Sequence, residues 1–396
     1  MKKFLAMMLA LAMALSLAAC GSSDTQDDSG SGSGDKVVKI GVFEPQSGDN
    51  GAGGKQEILG MQYANQETPT VEIGGETYQV ELVYADNQSS NDKAPSAAQQ
   101  LVSAGVSIVL GSYGSGVSIA ASDTFGDAGV PAMGVTCTNP NVTAGNSHYF
   151  RICFLDPFQG TVLANYAKDA CGATKAYCLA KQGDDYSVGL VEYFKKAFGE
   201  ENCISETFPD GTSDFSSYVS NAKNQGCDVF YAPVSIEAAA LIIDQAETQS
   251  LGMPMLAGDT WDSNVITAAA KGKNVDISVT TFYQEGGNTE FDEGFKAWLN
   301  SDSTALANNN GNDMISAVSA MGYDAYYVAL EALKAAGSTE PSAVLAALPS
   351  VSYTGVTGLI EFDEIGDAKR DTAFVKHCNT EAGDWEFVKE QSVAEQ

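Results

Sequence analysis

Four short polar stretches follow apolar, strand-like runs in this 396-residue chain, and their side chains share one kind of chemistry. Ser112-Tyr113-Gly114-Ser115-Gly116 follows VSIVLG, and Thr136-Cys137-Thr138-Asn139 follows VPAMGV. Asp184-Asp185-Tyr186 comes after KAYCLAK, and Asp259-Thr260-Trp261 after MPMLAG. A serine hydroxyl at the start of a helix, with the free backbone N–H groups there, binds a carboxylate. A carboxylate beside a threonine hydroxyl binds an ammonium, and aromatic rings cover an apolar side chain. The set suits a zwitterion. Arginine is confined to Arg151 and Arg370, whereas a second anionic group on the ligand normally calls for one. The ligand therefore reads as carrying one carboxylate, held by neutral donors. Any one of these residues is an ordinary helix cap. Their recurrence at successive strand ends carries the argument.

Catalytic constellations are missing from the same inventory. His148 and His377 are the two histidines, and neither lies in HExxH; GxSxG and CxxC do not occur. The clusters Gly51-Ala52-Gly53-Gly54 and Gly111 to Gly116 do not fit GxxxxGK[ST] or GxGxxG. Asp184-Asp185, on a strand-to-helix turn, reads as a cap rather than an acid–base pair. No enzyme activity, metal or organic cofactor is expected.

Alternating elements must position these loops. Strand patterns occur at 36–43, 78–87, 106–111 and 130–135, with helical patterns at 55–66, 92–102 and 118–127. Asp92 is placed to cap the second of these helices and Pro95 to occupy its first turn. A second series follows, with strands at 175–181, 203–208, 228–234 and 253–258 and helices at 157–170, 188–198, 214–225 and 236–249. A long helix is expected over 313–336, then short antiparallel strands at 357–363 and in AFVKHC and WEFVKE. Strands alternating with helices at this spacing mean βαβ units, and two series mean two doubly wound parallel sheets.

The first 35 residues read differently. Lys2 and Lys3 precede an apolar run, Phe4 to Ala19, then Cys20-Gly21 and a Gly/Ser/Asp tract to Asp35. The run falls short of the roughly 20 residues that span a bilayer, so a cleaved signal is favoured over a retained anchor. Residues 21–35 read as a flexible tether. The formal net charge of −30 repels nucleic acid and anionic lipid surfaces. Besides Cys20 there are seven cysteines, an odd number, and no disulfide is assigned; Cys171 and Cys178 are spaced to bridge a helix end and the next strand.

These segments, taken together, resemble the type I periplasmic-binding-protein family, specifically the branched-chain amino-acid binding proteins of ABC transporters. The likeness runs from Lys36 to Val388 through KIGVFEPQSGDNGAGGKQEILGMQYA, VELVYADNQ, VSIVLGSYGSGVSIAAS, AGVPAMGVTCTNPNVT, HYFRICFLDPFQG, LAGDTWDS, MGYDAYYVALEAL and GVTGLIEFD. Leu17-Ala18-Ala19-Cys20-Gly21 likewise looks like a bacterial lipobox. It implies a signal peptide over 1–19, lipidation at Cys20 and a tether over 20–35. The family implies two α/β lobes, 36–153 plus 282–349 and 154–281 plus 350–396, joined by a three-segment hinge. It also implies ligand-binding roles for Ser115 (carboxylate), Thr138 (ammonium and carboxylate), Thr136 and Cys137 (backbone groups) and Tyr186 (a ring from the second lobe). Asp259 would meet the ammonium, with Thr260 as the neighbour an alignment shift would select; Trp261 lies beside them, and Tyr323 would stand at the cleft rim. Gly53-Gly54 replaces the bulk common in the first loop and leaves room beside the ligand side chain. The implied function is an extracytoplasmic lipoprotein, anchored to the outer face of the cytoplasmic membrane, that captures a branched-chain or related apolar or aromatic amino acid in the interlobe cleft and hands it to ABC permease subunits. A sensor subunit for a receptor kinase, or a binder of another small carboxylate or amide, is the alternative.

Overall fold

The structure, a computed structural model, describes residues 36–392. The expected signal peptide, Cys20 and the tether lie outside the described residues.

Strands β1 (Lys36–Glu44), β2 (Thr70–Ile73), β3 (Glu76–Asp86), β4 (Ile108–Leu110), β5 (Ala132–Gly134) and β6 (Tyr149–Arg151) form one sheet in the order β2-β3-β1-β4-β5-β6. β1 lies parallel to β3 from Lys36↔Tyr78 to Glu44↔Asp86, and to β4 on its other side. A central parallel strand is covered on both faces, which is why KVVKIGVF is nearly continuous in apolar residues rather than alternating. Helices Gly51–Glu67 and Ala317–Ala336 pack on one face, Ala94–Ala104 and Ser115–Ala128 on the other.

The second sheet takes β7 (Ala176–Lys181), β8 (Cys203–Phe208), β9 (Val229–Tyr231), β10 (Met255–Ala257) and β11 (Ile277–Thr281) as its parallel part. β14 (Thr372–Asn379) and β15 (Asp384–Ser392) extend it antiparallel, giving the order β15-β14-β11-β10-β9-β7-β8. Chain order reverses between β1 and β4 in the first sheet and between β7 and β9 in the second. Open α/β sheets bind ligands at such switch points, beyond the carboxyl ends of the strands. The loops after β1, β4 and β5 and those after β7, β9 and β10 converge on one crevice.

Between these strands lies a hairpin, β12 (Ser352–Gly355) with β13 (Gly358–Glu361). It packs on the first sheet's side of the molecule: Tyr353 stacks on Tyr327 at 5.9 Å, and Asp324 accepts from the Val356 and Thr357 N–H groups. Phe362 meets Phe150 edge-on at 5.2 Å. Beyond it, Arg151 N–H donates to the Gly366 carbonyl and Ala368 N–H to the Arg151 carbonyl, at 2.9 and 3.0 Å. The chain returning to the second sheet is thus laced to the chain leaving the first.

The expected helix over 313–336 begins at Ala317, and the helix expected from Asp92 begins at Ala94 with no side-chain cap, although Pro95 does sit in its first turn. Strands β2, β6, β11 and β12 and helices Asn264–Ala270, Thr289–Ser301, Ser303–Asn308 and Pro341–Ala347 were not anticipated from the sequence pattern. Cys171 and Cys178 are free thiols. No helix among the described residues is long and apolar enough to cross a membrane.

Candidate ligand-binding site

The converging loops enclose a cavity of about 30 Å³. Ser115 and Thr136 line it from the first sheet's loops, Tyr186 and Asp259 from the second's. Four groups chosen by residue type, from four separated segments, therefore meet in one place. Ser115 opens the helix Ser115–Ala128, whose first turn has no side-chain cap, so its N–H groups point at the cavity end. The Ser115 hydroxyl accepts from Asn139 N–H at 3.2 Å. Asp259 heads a short 3₁₀ turn after β10, where it is 2 % exposed. Its Oδ1 accepts from Gln159 Nε2 at 2.9 Å and from the Tyr186 hydroxyl at 3.0 Å. Burial pushes its carboxyl up to about 6, against the pull of those two donors.

Both arginines are committed elsewhere. Arg151 is fully buried, pairs with Asp367 and donates to the carbonyls of Cys137 and Asn139. Arg370 donates to the carbonyls of Ile152 and Thr357. The cavity is therefore acidic and neutral, as the arginine shortage implied. Two further carboxyls lie behind its wall, bonded to lining residues. Glu44, at the end of β1, accepts from Tyr113 N–H at 2.6 Å, and Glu57 accepts from the Thr136 hydroxyl at 2.8 Å. Both are fully buried, and each leaves one carboxyl oxygen without a hydrogen-bond partner among the described residues. Burial pushes Glu57 up to about 8, and burial together with the Glu57 charge pushes Glu44 well up. At neutral pH the pair holds at least one proton. Because Thr136 donates its proton to Glu57, its oxygen faces the cavity as an acceptor, suited to an ammonium.

The remaining expected residues do not reach the cavity. Thr138 is fully buried beneath it, next to Asp156, with no hydrogen-bond partner for its hydroxyl among the described residues. The Cys137 thiol packs into the first lobe's core, and its carbonyl is taken by Arg151. Cys137 turns into the core where Thr136 lines the cavity. Trp261 lies in the second lobe's core with its indole N–H on the Val234 carbonyl at 3.1 Å. Tyr323 is not at the rim: it stacks on Tyr63 at 5.7 Å and donates to Glu67, in an aromatic cluster on the outer face of the first lobe. Its place in a helix that packs along Gly51–Glu67 directs it there.

A family model for periplasmic binding proteins matches residues 37–380. The chain belongs to the periplasmic binding protein family. Members of this family bind substrates and are not enzymes. Among solved relatives, this binding protein is 30 % identical to a leucine-binding protein of Thermotoga maritima, with TM-score 0.79 and coverage of 91 % of this chain and 100 % of that one. It is 25 % identical to a branched-chain amino-acid transporter substrate-binding protein of Streptococcus pneumoniae in complex with isoleucine, with TM-score 0.76 and coverage of 90 % and 99 %. A Leu/Ile/Val-binding protein homolog of Brucella abortus is 29 % identical over 337 residues, covering 83 % of this chain and 87 % of that one.

The binding protein's cavity also uses Asn50 and Ser235, which the sequence did not single out. Tyr113, Gly114, Asp184 and Thr260, from the loops already named, complete the lining. Ser235, which follows β9, obeys the strand-end rule that selected the others. Asp184 does cap its helix, accepting from Ser187 N–H at 2.9 Å. The two lobes touch around the cavity. Lys181 pairs with Asp49 at 2.6 Å, Asn139 donates to the Asp185 carbonyl at 2.7 Å, and Tyr113 donates to the Thr260 carbonyl at 3.3 Å. The arrangement is that of two lobes meeting across a cleft.

Proposed function

We propose that this chain is the solute receptor of an ABC importer, tethered outside the cytoplasmic membrane through a lipid on Cys20, that captures an amino acid between its lobes and delivers it to the permease. The single observation that carries the reading is the pairing of first-lobe hydroxyls and a helix N-terminus, at Ser115 and Thr136, with a second-lobe carboxylate, Asp259, across one cavity. A zwitterion bridges such a pair. Its carboxylate meets the N–H groups at the start of Ser115–Ala128, and its ammonium lies between Thr136 Oγ1 and Asp259. The lobes proposed are 36–153 plus 282–369 and 154–281 plus 370–396; the last crossing lies near residue 370 rather than at 350, because the hairpin 352–361 packs on the first lobe.

Only a ligand that touches both lobes stabilises the closed form, and closure excludes water from the charged contacts. A micromolar dissociation constant requires about −8 kcal/mol. Four or five charge-assisted hydrogen bonds at about 1.5–3 kcal/mol each, less ordering costs, supply it. A thermal-shift screen of the mature protein against the amino acids and a set of small carboxylates tests the reading. One or more amino acids are expected to raise the midpoint, since a ligand of the native state alone must do so. If carboxylates lacking the ammonium raise it and no amino acid does, the amino-acid reading falls.

A further inference from the structure

Gly53 leaves room in the first loop, and the structure shows what fills that room. A Cβ built on Gly53 would stand 2.6 Å from the Tyr113 ring and 2.8 Å from its hydroxyl. The ring is thus laid against the bare glycine backbone, and it lines the cavity. Three contacts fix it. Its backbone N–H is held by the buried Glu44 carboxyl, its hydroxyl donates to the Thr260 carbonyl of the opposite lobe, and its ring packs among the second lobe's core residues. Tyr113 is 4 % exposed.

A second, independent observation concerns the chemistry of the wall. Ligand pockets are ordinarily lined mostly by apolar side chains. Here, among the described lining residues, no Leu, Ile, Val, Met or Phe occurs. Hydroxyls, carboxylates, one amide, glycine and two tyrosines make up the wall. A branched aliphatic side chain would find no matching surface, and it would need the Tyr113 ring to leave a site where it is hydrogen-bonded and buried. A small side chain needs neither.

Building on the amino-acid reading, we propose that Tyr113 is the specificity-determining residue of the cleft, and that with Gly53 it restricts the ligand to amino acids of glycine-to-threonine size, with hydroxylated side chains favoured over aliphatic ones. The ring stands in for the bulk of a large ligand side chain. The hydroxyls of Ser235 and Thr260 and the amide of Asn50 offer partners to a short polar one. Replacing the ring by a methyl group opens the space without touching Ser115, Thr136 or Asp259.

Calorimetric titration of the wild-type protein with glycine, alanine, serine, threonine, leucine, isoleucine and phenylalanine, and with glycolate, lactate and benzoate, tests this. Serine or alanine is expected to bind at least roughly tenfold more tightly than leucine. Tyr113→Ala is expected to erase or invert that ratio, and Tyr113→Phe, which keeps the ring and loses only the Thr260 bond, to preserve it. Far-ultraviolet dichroism and a cooperative melt establish that each variant folds; if Tyr113→Ala does not, Tyr113→Leu gives the same comparison. Wild-type affinity for leucine equal to or above that for serine overturns the proposal. So does a Tyr113→Ala ratio unchanged from wild type. If lactate binds and amino acids do not, the amino-acid reading fails, while the preference for lactate over benzoate still judges the size rule on its own.

Discussion

Replacing Asp259 by asparagine is expected to move stability and binding in opposite directions. The carboxyl is raised from an ordinary 3.8 to about 6, chiefly by burial. A shift of that size corresponds to about 3 kcal/mol of unfavourable ionisation carried by the ligand-free fold once the pH exceeds 6. Below about pH 3 the group is protonated in folded and unfolded chains alike, and no cost arises. Between those values, stability falls as pH rises. Asparagine has the same shape, keeps an oxygen for Gln159 Nε2 and the Tyr186 hydroxyl, and cannot ionise. The ligand-free variant should therefore be more stable than wild type by about 1–2 kcal/mol at pH 7.5, after allowing for weaker hydrogen bonds to a neutral acceptor. It should show no such gain at pH 4. Binding responds the other way. An ammonium facing a buried carboxylate loses about 2–4 kcal/mol when that charge is removed, a fall in affinity of about 30- to 1000-fold. Urea denaturation of the ligand-free proteins at both pH values, and calorimetry at pH 7.5 with the amino acid giving the largest thermal shift, read out the two halves. A variant that binds within threefold of wild type would refute the role of Asp259. One that is less stable than wild type at pH 7.5 would refute the electrostatic account.

Three further outcomes follow from the same geometry. In the wild-type protein, amino-acid affinity should weaken as pH falls through about 6, approaching tenfold per pH unit below it, because protonating Asp259 removes the countercharge while the ligand ammonium stays charged; a flat calorimetric profile from pH 7.5 to 5 would contradict this. Glu57→Gln should be more stable than wild type at pH 7 by about 1–3 kcal/mol, because the carboxyl, pushed up from 4.5 to about 8, stays protonated in the fold while the unfolded chain's ionises. Wild type should lose stability relative to that variant as pH rises from about 4.5 to 8 and level off above it, as measured by denaturation at pH 4.5, 7 and 9. Arg151→Ala should cost about 3–5 kcal/mol in denaturant unfolding, since it strands Asp367 and several loop carbonyls in the interior, and Arg151→Lys should restore little of it because an ammonium cannot reproduce the fork.

The loops that meet at the cavity were legible because strand patterns end where polar residues begin, and doubly wound sheets place those ends together. Residue type then pointed to Ser115, Thr136, Tyr186 and Asp259. The same rule overreached at Cys137 and Trp261, which share loops with true lining residues and turn into the cores. Direction within a loop depends on individual backbone angles, and periodicity carries no information about them. Tyr323 was misplaced because one face of a helix cannot be chosen without knowing its packing partner, here the helix Gly51–Glu67. Glu57 was invisible for a related cause. An acidic residue in a helical pattern ordinarily faces solvent, and only the tertiary contact with Glu44 and Thr136 turns it inward. The room left by Gly53 was legible as a gap, but its occupant sits 60 residues away in sequence. Short elements such as β2 and the helix Pro341–Ala347 gave no periodic signal long enough to register.

The lacing of Gly366–Ala368 to Arg151 has a mechanical consequence. Two connectors joined by backbone hydrogen bonds, and clamped by the Arg151–Asp367 pair and by Arg370 on Ile152 and Thr357, behave as one ribbon rather than as two strings. A ribbon twists about its long axis with little resistance and stretches or shears hardly at all. The lobes are then left with something close to a single angular coordinate, so that any ligand able to shut the cleft brings the two outer faces to the same mutual orientation. Membrane machinery that gauges that orientation would read occupancy as a yes-or-no signal, indifferent to which side chain lies inside.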